Sequence, residues 1–225
     1  MIELDNVGFG YGGGDLLTGI AIGLTPGTFH FLTGPSGAGK TTLLNLCSMQ
    51  LKPTSGSARV FGHDVAAMSR DDVAAARRRI GVVHQDCRFL DHLPVADNVA
   101  LPLVVAGQSS GAAAGDVAEL LSWVGLAALA GALPPQLSGG ERQRAALARA
   151  VVTSPDVILA DEPTGNVDWE MSLRLLQLLV ELNRLGKAVL VATHDLNLIR
   201  AAKGQVAARV LRLSGGRLQQ AGADL

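Results

Sequence analysis

The sequence predicts an α/β protein whose core is a parallel β-sheet. First, short apolar strands alternate with helical segments through the second half of the chain, and parallel strands need such crossover helices. Second, a glycine-rich loop at residues 34–41 joins a predicted strand to a predicted helix. Third, residues 86–136 are rich in Ala, Leu and Gly at helical spacing and contain no strand signal. We therefore expect a parallel core that is interrupted by a helical part.

The elements of the first half follow from alternating polarity in strands, helical spacing in helices, and turns at Gly and Pro. In order, they are strands at residues 2–9, 16–24 and 28–33, a helix at 40–49, a strand at 57–62, a helix at 69–79 and a strand at 80–83. Residues 16–39 carry no charge and are long enough to cross a bilayer. Because they contain Pro26 and Pro35 and alternate in polarity, we interpret them as buried strands.

The second half begins with helices and then returns to alternation. We expect the helices of residues 86–136 to break at Pro94, Pro102, Pro134 and Pro135. Within this region, residues 108–115 predict a flexible connector of low complexity. The elements that follow are helix 139–153, strand 157–160, helix 168–185, strand 188–192, helix 195–203, strand 206–213 and a hairpin turn at 214–216.

Composition and charge exclude several classes of protein. Hydrophobic residues make up 48% of the chain, which excludes intrinsic disorder. The net charge is −1, so no overall basic field exists and we expect no nucleic-acid partner. Cys47 and Cys87 form no CxxC pair, so we expect neither a disulfide framework nor a zinc site. The N-terminal residues lack a basic segment followed by an apolar run, so we expect no signal peptide.

The glycine-rich loop matches the pattern GxxxxGK[ST] in the strand-to-helix context of a phosphate-binding P-loop. Glycines let the backbone pass close to phosphates, and the amide N–H groups at a helix start point toward them. The side chain of Lys40 can reach the β- and γ-phosphates, and the hydroxyl of Thr41 can bind Mg²⁺. The predicted phosphate-binding residues are Gly34, Pro35, Ser36, Gly37, Ala38, Gly39, Lys40, Thr41 and Thr42.

A second glycine motif stands at the start of another predicted helix. Ser138, Gly139, Gly140 and Glu141 form the sequence SGGE, and a helix start with two glycines can bind an anion. One nucleotide does not easily need two such sites from one subunit. We therefore infer a nucleotide that lies between two subunits, each of which contributes one site. The alternative is an ordinary Ser N-cap followed by flexible glycines.

A pair of carboxylates ends the apolar strand near residue 160. Asp161 and Glu162 follow this strand directly, and the carboxyl edge of a parallel sheet is where ligands bind. Asp161 suits coordination of Mg²⁺, and Glu162 can act as the general base toward an attacking water. The alternative is a charged strand end that stops at Pro163.

These three motifs, in this order, resemble those of the nucleotide-binding subunits of ABC ATPases over about residues 1–220. The resemblance implies a P-loop NTPase fold with a RecA-like α/β core, an N-terminal antiparallel β subdomain and an inserted α-helical subdomain. It implies a single domain at residues 1–225. Residues 1–85 and 151–225 would form the core with the β subdomain, and residues 86–150 the helical subdomain with the SGGE motif.

The resemblance also implies roles for individual residues, with ATP and Mg²⁺ as cofactors. The ring of Tyr11 would stack on adenine, although a tyrosine in a glycine turn can equally be a surface residue. His194 would contact the γ-phosphate, although it can also belong to an ordinary capped helix start. The implied catalytic residues are Gln85, Glu162 and His194, the metal ligands are Thr41, Gln85 and Asp161, and Asp168 joins SGGE at the nucleotide.

The segments at residues 81–107, 160–172 and 192–199 are similar to those of the cell-division branch of this family. The sequence EPTGN at residues 162–166 is also shared with the ATPases of lipoprotein release and macrolide export, which is the alternative function. This branch implies a homodimer on ATP binding, an integral membrane permease as partner, and a peripheral place on the cytoplasmic face of the inner membrane. Two residues depart from the pattern: His84, where an aromatic is usual, and Trp169, where Pro or Asp is common.

The contact with a membrane partner is expected at residues 86–103, directly after Gln85. This segment mixes charges with Phe89 and Leu90, as an interface with apolar anchors and a polar rim does. The alternative is that the segment is a small core of the helical part. Arg77 to Arg79 predict a solvated helix face, with a phosphate or lipid patch as the alternative.

Two further functional classes stay open at this point. An ABC ATPase that acts on DNA or ribosomes typically carries basic extensions, coiled-coil insertions or a second cassette, and this sequence has none of them. A nucleotide-dependent scaffold, in which turnover matters little, differs from an ATPase motor only in measured hydrolysis with the partner present.

Overall fold

Two β-sheets form the centre of the fold. A computed structural model describes residues 1–108 and 110–220, and for residues 110–113 it describes only the backbone. Their polarity patterns differ because the first sheet alternates buried and exposed residues, whereas the central strands of the second are buried throughout. The strands are β1 Ile2–Phe9, β2 Leu17–Leu24, β3 Phe29–Thr33, β4 Ser55–Val60, β5 His63–Asp64, β6 Ile80–Val83, β7 Val157–Asp161, β8 Ala188–Ala192, β9 Ala208–Ser214 and β10 Arg217–Gln220.

The first sheet has four strands in the order β2-β1-β4-β5, and every pairing in it is antiparallel. The second has six strands in the order β10-β9-β3-β8-β7-β6. Its pairings are parallel except that of the edge strand β10, which folds back on β9 through the predicted hairpin turn. The predicted α/β class with an N-terminal antiparallel β part is therefore confirmed.

The helices cover the parallel sheet and build a separate helical part. They are α1 Lys40–Cys47, α2 Arg70–Arg77, α3 Val95–Val105, α4 Ser110–Trp123, α5 Gly139–Val151, α6 Trp169–Arg184 and α7 Leu196–Lys203, with short 3₁₀ turns at Ala127–Leu129 and Pro134–Gln136. Among the described residues, four side chains act as N-caps and accept one or two free N–H groups of the first turn: Ser69, Ser138, Asp168 and Asp195. Among residues 1–108 and 110–220, no helix is long and apolar enough to cross a membrane.

Helix α5 joins the helical part to the sheet. Its Ala145 and Ala148 pack in a hydrophobic cluster with α3 and α4, whereas Leu147 and Val151 pack against the sheet and α6. The helix is therefore held on two faces, and its position depends on both parts. No strand interrupts the described residues between β6 and β7. The division of the chain at residues 86 and 150 stays a prediction.

The structure differs from two of the expectations for the helical part. The expected connector at residues 108–115 is wrong for residues 110–115, which form the start of α4, because the alanines at 112–114 have the highest helix propensity. Ser109 lies outside the described residues. The expected break at Pro102 is also wrong, because Pro102 lies inside α3. The burial of Val99 and Leu103 beside it offsets the loss of one backbone hydrogen bond.

Arg77 to Arg79 are all exposed, as expected for a solvated helix face, and two of them also contact the rest of the protein. The guanidinium of Arg77 donates to the carbonyl oxygen of Met49 at 2.6 Å. The side chain of Arg79 donates to Asp156 at 2.7 Å and lies 3.8 Å from the centroid of the Phe61 ring. These two arginines hold α2 and its end against the sheets, which helical charge patterns do not reveal.

Candidate functional site

The phosphate loop is the turn between β3 and α1, and its glycines have conformations that other residues avoid. Gly39 is the residue before α1 and has φ of 100°. Gly34 has φ of 153°, and a Cβ there would collide with the carbonyl oxygen of Leu213. A side chain at either position would therefore close or distort the loop. The resulting backbone leaves the start of α1 open toward the cavity.

Lys40 and Thr41, in the first turn of α1, form hydrogen bonds to two different parts of the site. The ammonium of Lys40 donates to the carbonyl oxygens of Gly34 and Pro35, at 2.9 and 3.2 Å. The hydroxyl of Thr41 donates to Oδ2 of Asp161 at 2.6 Å. Thus the lysine reaches across the loop, and the threonine joins it to the end of β7.

The carboxyl of Asp161 is buried, and its surroundings suit a cation. Burial raises its pKa above the ordinary value, and the neighbouring Glu162 raises it further, while the hydrogen bond from Thr41 and the charge of Lys40 lower it. A buried carboxylate beside a hydroxyl is a hard oxygen donor set of the kind that Mg²⁺ prefers. The residues present therefore fit the metal.

Glu162 has a strained backbone conformation and a partner for its side chain. Its φ is 48°, which is uncommon for a residue other than glycine. Its N–H donates to the carbonyl oxygen of Ala192 at 2.9 Å. Its Oε1 lies 2.9 Å from Nδ1 of His194. The Glu162 side chain is only 14% exposed, whereas that of His194 is 76% exposed, so the glutamate is the buried member of the pair.

A cavity of about 570 Å³ contains most of the predicted nucleotide and metal residues. Its lining comprises the predicted Gly34, Pro35, Ser36, Gly37, Gly39, Lys40, Thr41, Thr42, Gln85, Asp161, Glu162 and His194, together with Leu16, which carries no sequence signal. Phosphate-loop, carboxylate, glutamine and histidine residues from four distant segments thus meet in one place. This is the geometry of a site at the carboxyl edge of a parallel sheet.

Tyr11 and Ala38 lie beside this cavity and do not line it. The hydroxyl of Tyr11 is 3.4 Å from Oγ1 of Thr42, and its ring meets that of Phe9 edge-on at 4.8 Å. Tyr11 is nonetheless 68% exposed. This position suits stacking on a base at the rim of the cavity.

A second cavity, of about 470 Å³, contains the SGGE residues and Asp168. It shares no lining residue with the first, so the described chain does not bring the two glycine motifs together. A Cβ at Gly140 would lie 2.9 Å from the carbonyl oxygen of Asn166, which explains a glycine at that position. Sequence reasoning missed Arg144, Asn166, Val167 and Met171 in this lining. The one signal available was that these residues lie within three positions of Glu141 or Asp168 in the sequence.

Ser138 is the N-cap of α5. Within one chain, the SGGE motif therefore acts as an ordinary Ser N-cap, which was the alternative interpretation. The backbone N–H of Ser138 donates to Oε2 of Glu141 at 2.8 Å, and the N–H of Glu141 donates to Oγ of Ser138 at 3.3 Å. The hydroxyl of Ser138 also donates to Oε2 of Glu141 at 2.8 Å. This hydrogen bond, together with the one from the Ser138 N–H, lowers the pKa of Glu141. The cap fixes the helix start while Ser138 and Gly139 stay exposed. An N-cap and an anion site are therefore compatible here.

Comparison with known proteins places this site in a family. The family model described as ABC transporter matches residues 17–165. The chain is 45% identical over 219 residues to the cell division ATP-binding protein FtsE of Escherichia coli K12, covering 97% of both chains, and 40% identical over 209 residues to that of Bacillus subtilis, covering 92% of both. The dimeric structure of MJ0796, a bacterial ABC transporter cassette, matches with a TM-score of 0.89 at 34% identity over 98% of this chain and 97% of that one. A second MJ0796 structure, a dimeric post-hydrolysis state bound to ADP and Pi, matches with a TM-score of 0.88 at 33% identity over 98% of both chains. The chain therefore belongs to the ABC transporter family and is an ATPase.

Proposed function

We propose that the chain is the ATP-hydrolysing subunit of a membrane-associated complex that acts in cell division, with an FtsX-like integral permease as partner. The observation that carries this proposal is the identity of 40–46% to proteins named FtsE, which extends over nearly the whole of both chains. In this complex, ATP-driven motion of the subunit would pass through the permease to cell-wall hydrolases outside the membrane. The subunit itself would sit on the cytoplasmic face of the inner membrane.

Phosphate binding rests on the loop before α1. Backbone amides from Ser36 to Thr42 and the ammonium of Lys40 hold the phosphates, since a helix start and a lysine together favour anions. Thr41, Asp161 and Gln85 hold Mg²⁺, which when bound neutralises charge on the β- and γ-phosphates. Tyr11 stacks on the adenine at the rim.

Hydrolysis rests on the carboxylate that follows β7. Glu162 takes a proton from the attacking water, and its 2.9 Å contact with His194 fixes the direction of the carboxylate. The exposed His194 supports the γ-phosphate from the open side of the cavity, and Gln85 helps to hold the water. Positioning and charge stabilisation account for most of the catalysis, as in other phosphoryl transfers.

Two copies complete each site. Because the SGGE residues line a different cavity from the phosphate loop, Ser138 and Gly140 contact the γ-phosphate held by the opposite chain. Asp168 lies beside SGGE on the same face and joins this contact. The similarity to a dimeric cassette at a TM-score of 0.89 supports a head-to-tail homodimer.

The permease docks in a groove between the sheet and the helical part. This groove, of about 430 Å³, has an apolar floor that includes Leu101, Pro102 and Val105, and basic side chains at Arg78 and Arg149. The groove lies at the end of the segment expected to bind the partner. Phe89 is half-buried beside core residues and Leu90 is 41% exposed, and a contact of the partner with these two residues stays a prediction.

A co-purification experiment tests the proposed complex. Val105 is 66% exposed, so Val105→Asp is expected to abolish recovery of the permease from membranes while the chain still binds ATP. Leu185→Asp is the matched control, since Leu185 is an exposed apolar residue outside the groove. Full recovery with Val105→Asp would overturn the docking site. Recovery of a lipoprotein-release or export permease instead would favour that alternative, which the EPTGN sequence at residues 162–166 supports.

A further inference from the structure

Gln143 is a buried side chain on α5 that contacts two loops of the site. It lies in the second turn of α5 and is only 1% exposed. Its Nε2 donates to the carbonyl oxygen of Glu162 at 3.0 Å. Its Oε1 accepts a hydrogen bond from the thiol of Cys87 at 3.4 Å. One amide therefore links the SGGE helix to the glutamate after β7 and to the turn after Gln85.

Both partners of Gln143 lie in strained backbone. Glu162 has φ of 48°, and Cys87 and Arg88 have φ of 56° and 30°, in a region that side-chain-bearing residues rarely occupy. Such conformations persist only where surrounding contacts hold them. Gln143 donates a hydrogen bond to the carbonyl oxygen of Glu162 and accepts one from the thiol of Cys87, so it restrains both backbone segments.

Arg149, two turns further along α5, holds the same turn from the other side. Its guanidinium donates to the carbonyl oxygens of Cys87 and Arg88, at 2.6 and 2.7 Å. It also lies 4.6 Å from the centroid of the Phe89 ring. The turn after Gln85 is therefore fixed to α5 at two points, Gln143 and Arg149.

We propose that Gln143 is a positioning residue for Glu162, through which α5 sets the place of the glutamate in its own chain. The inference rests on the proposed role of Glu162. It has a consequence for the dimer, because α5 begins with the residues that contact the nucleotide of the opposite chain. Engagement of one shared site would then position the glutamate of the other, and the two sites would hydrolyse ATP cooperatively.

The test compares turnover and ATP binding in substitutions of Gln143 in the full chain. Gln143→Leu and Gln143→Met have a similar size but leave the Glu162 carbonyl without a donor and the Cys87 thiol without this acceptor. Both are expected to lower kcat by about 10²-fold, the effect of a small misplacement of a reacting group, and to lower the Hill coefficient for ATP. The KM and the ATP dissociation constant should stay within about twofold of wild type, since the phosphate loop is untouched.

Controls separate positioning from stability and from the role of Glu162. Val151→Ala removes core contacts from the same helix without touching Glu162, so it should lower the unfolding temperature and leave kcat unchanged. The inference is overturned if Gln143→Leu retains wild-type kcat, or if Val151→Ala at equal loss of stability lowers kcat equally. Glu162→Gln in the same assay distinguishes the two proposals. If it also hydrolyses ATP normally, the role of Glu162 fails, and if it alone is inactive, only the inference about Gln143 fails.

Discussion

Glu162→Gln is the substitution that isolates the proposed chemistry. The amide has the size of the carboxyl and can keep a hydrogen bond to His194, which now lies 2.9 Å from Oε1. What it cannot do is accept a proton from water at neutral pH. We therefore expect ATP binding to persist and hydrolysis to be lost.

The expected loss of rate follows from removal of a general base, which costs roughly 10²–10⁴-fold. At about 1.4 kcal/mol per tenfold change, a loss of this size raises the activation free energy by about 3–6 kcal/mol. The folding free energy should change little. Because His194 is mostly exposed, its pair with Glu162 contributes at most about 1 kcal/mol. A difference of that size shifts the unfolding temperature of a chain of this length by about 2–4 °C.

The assay is phosphate release under saturating Mg-ATP, with nucleotide binding measured separately by fluorescence of an ATP analogue. Glu181→Gln is the matched control, since Glu181 is an exposed glutamate on α6 that pairs with Arg184 at 2.6 Å. It should retain wild-type turnover and unfolding temperature. Wild-type phosphate release by Glu162→Gln would refute the assignment of the base. A loss of nucleotide binding in that variant would refute the argument that the amide leaves the site intact.

Two further substitutions test the shared site and the metal. Ser138→Arg should leave ATP binding intact and block closure of the dimer, and mixing it with Lys40→Ala chains should restore at most one complete site; normal hydrolysis by Ser138→Arg alone would contradict the contact between chains. Asp161→Asn should abolish Mg²⁺-dependent hydrolysis yet stabilise the nucleotide-free chain near neutral pH. Burial raises the folded-state pKa of Asp161, so wild-type stability falls as pH rises from the unfolded to the folded pKa and stays lower above it. Thermal unfolding of the wild type and of Asp161→Asn, measured as a function of pH, tests this difference in stability. Equal unfolding temperatures of the two proteins at pH 7 would contradict it.

Local patterns predicted the elements that carry the site. The GxxxxGK[ST] sequence fixes a loop conformation through residues such as Gly34 and Gly39, whose backbone angles other residues avoid. The apolar run before Asp161 is a central strand because all its residues are buried between helices. In each case, the physical cause lies within a few residues of the chain, so the sequence pattern shows it directly.

Local sequence patterns could not predict contacts between segments that are far apart in the sequence. Gln143 gave no signal as a link to Glu162, because its role depends on how α5 packs between the sheet and the helical part. The contact between the Phe89 ring and the guanidinium of Arg149 likewise gave no sequence signal. The helical start of α4 was missed because glycines among the alanines suggest flexibility, whereas the alanines favour a helix.

The central claim is that two chains share each ATP, and the mass of the particle in solution tests it most directly. Sedimentation of Glu162→Gln chains with Mg-ATP should give a dimer that holds two nucleotides, and with ADP a monomer. Adding Ser138→Arg to the same chain should abolish the dimer while each chain keeps its bound ATP. A chain that stays monomeric with Mg-ATP in both variants, or a dimer that Ser138→Arg leaves unchanged, would contradict the account.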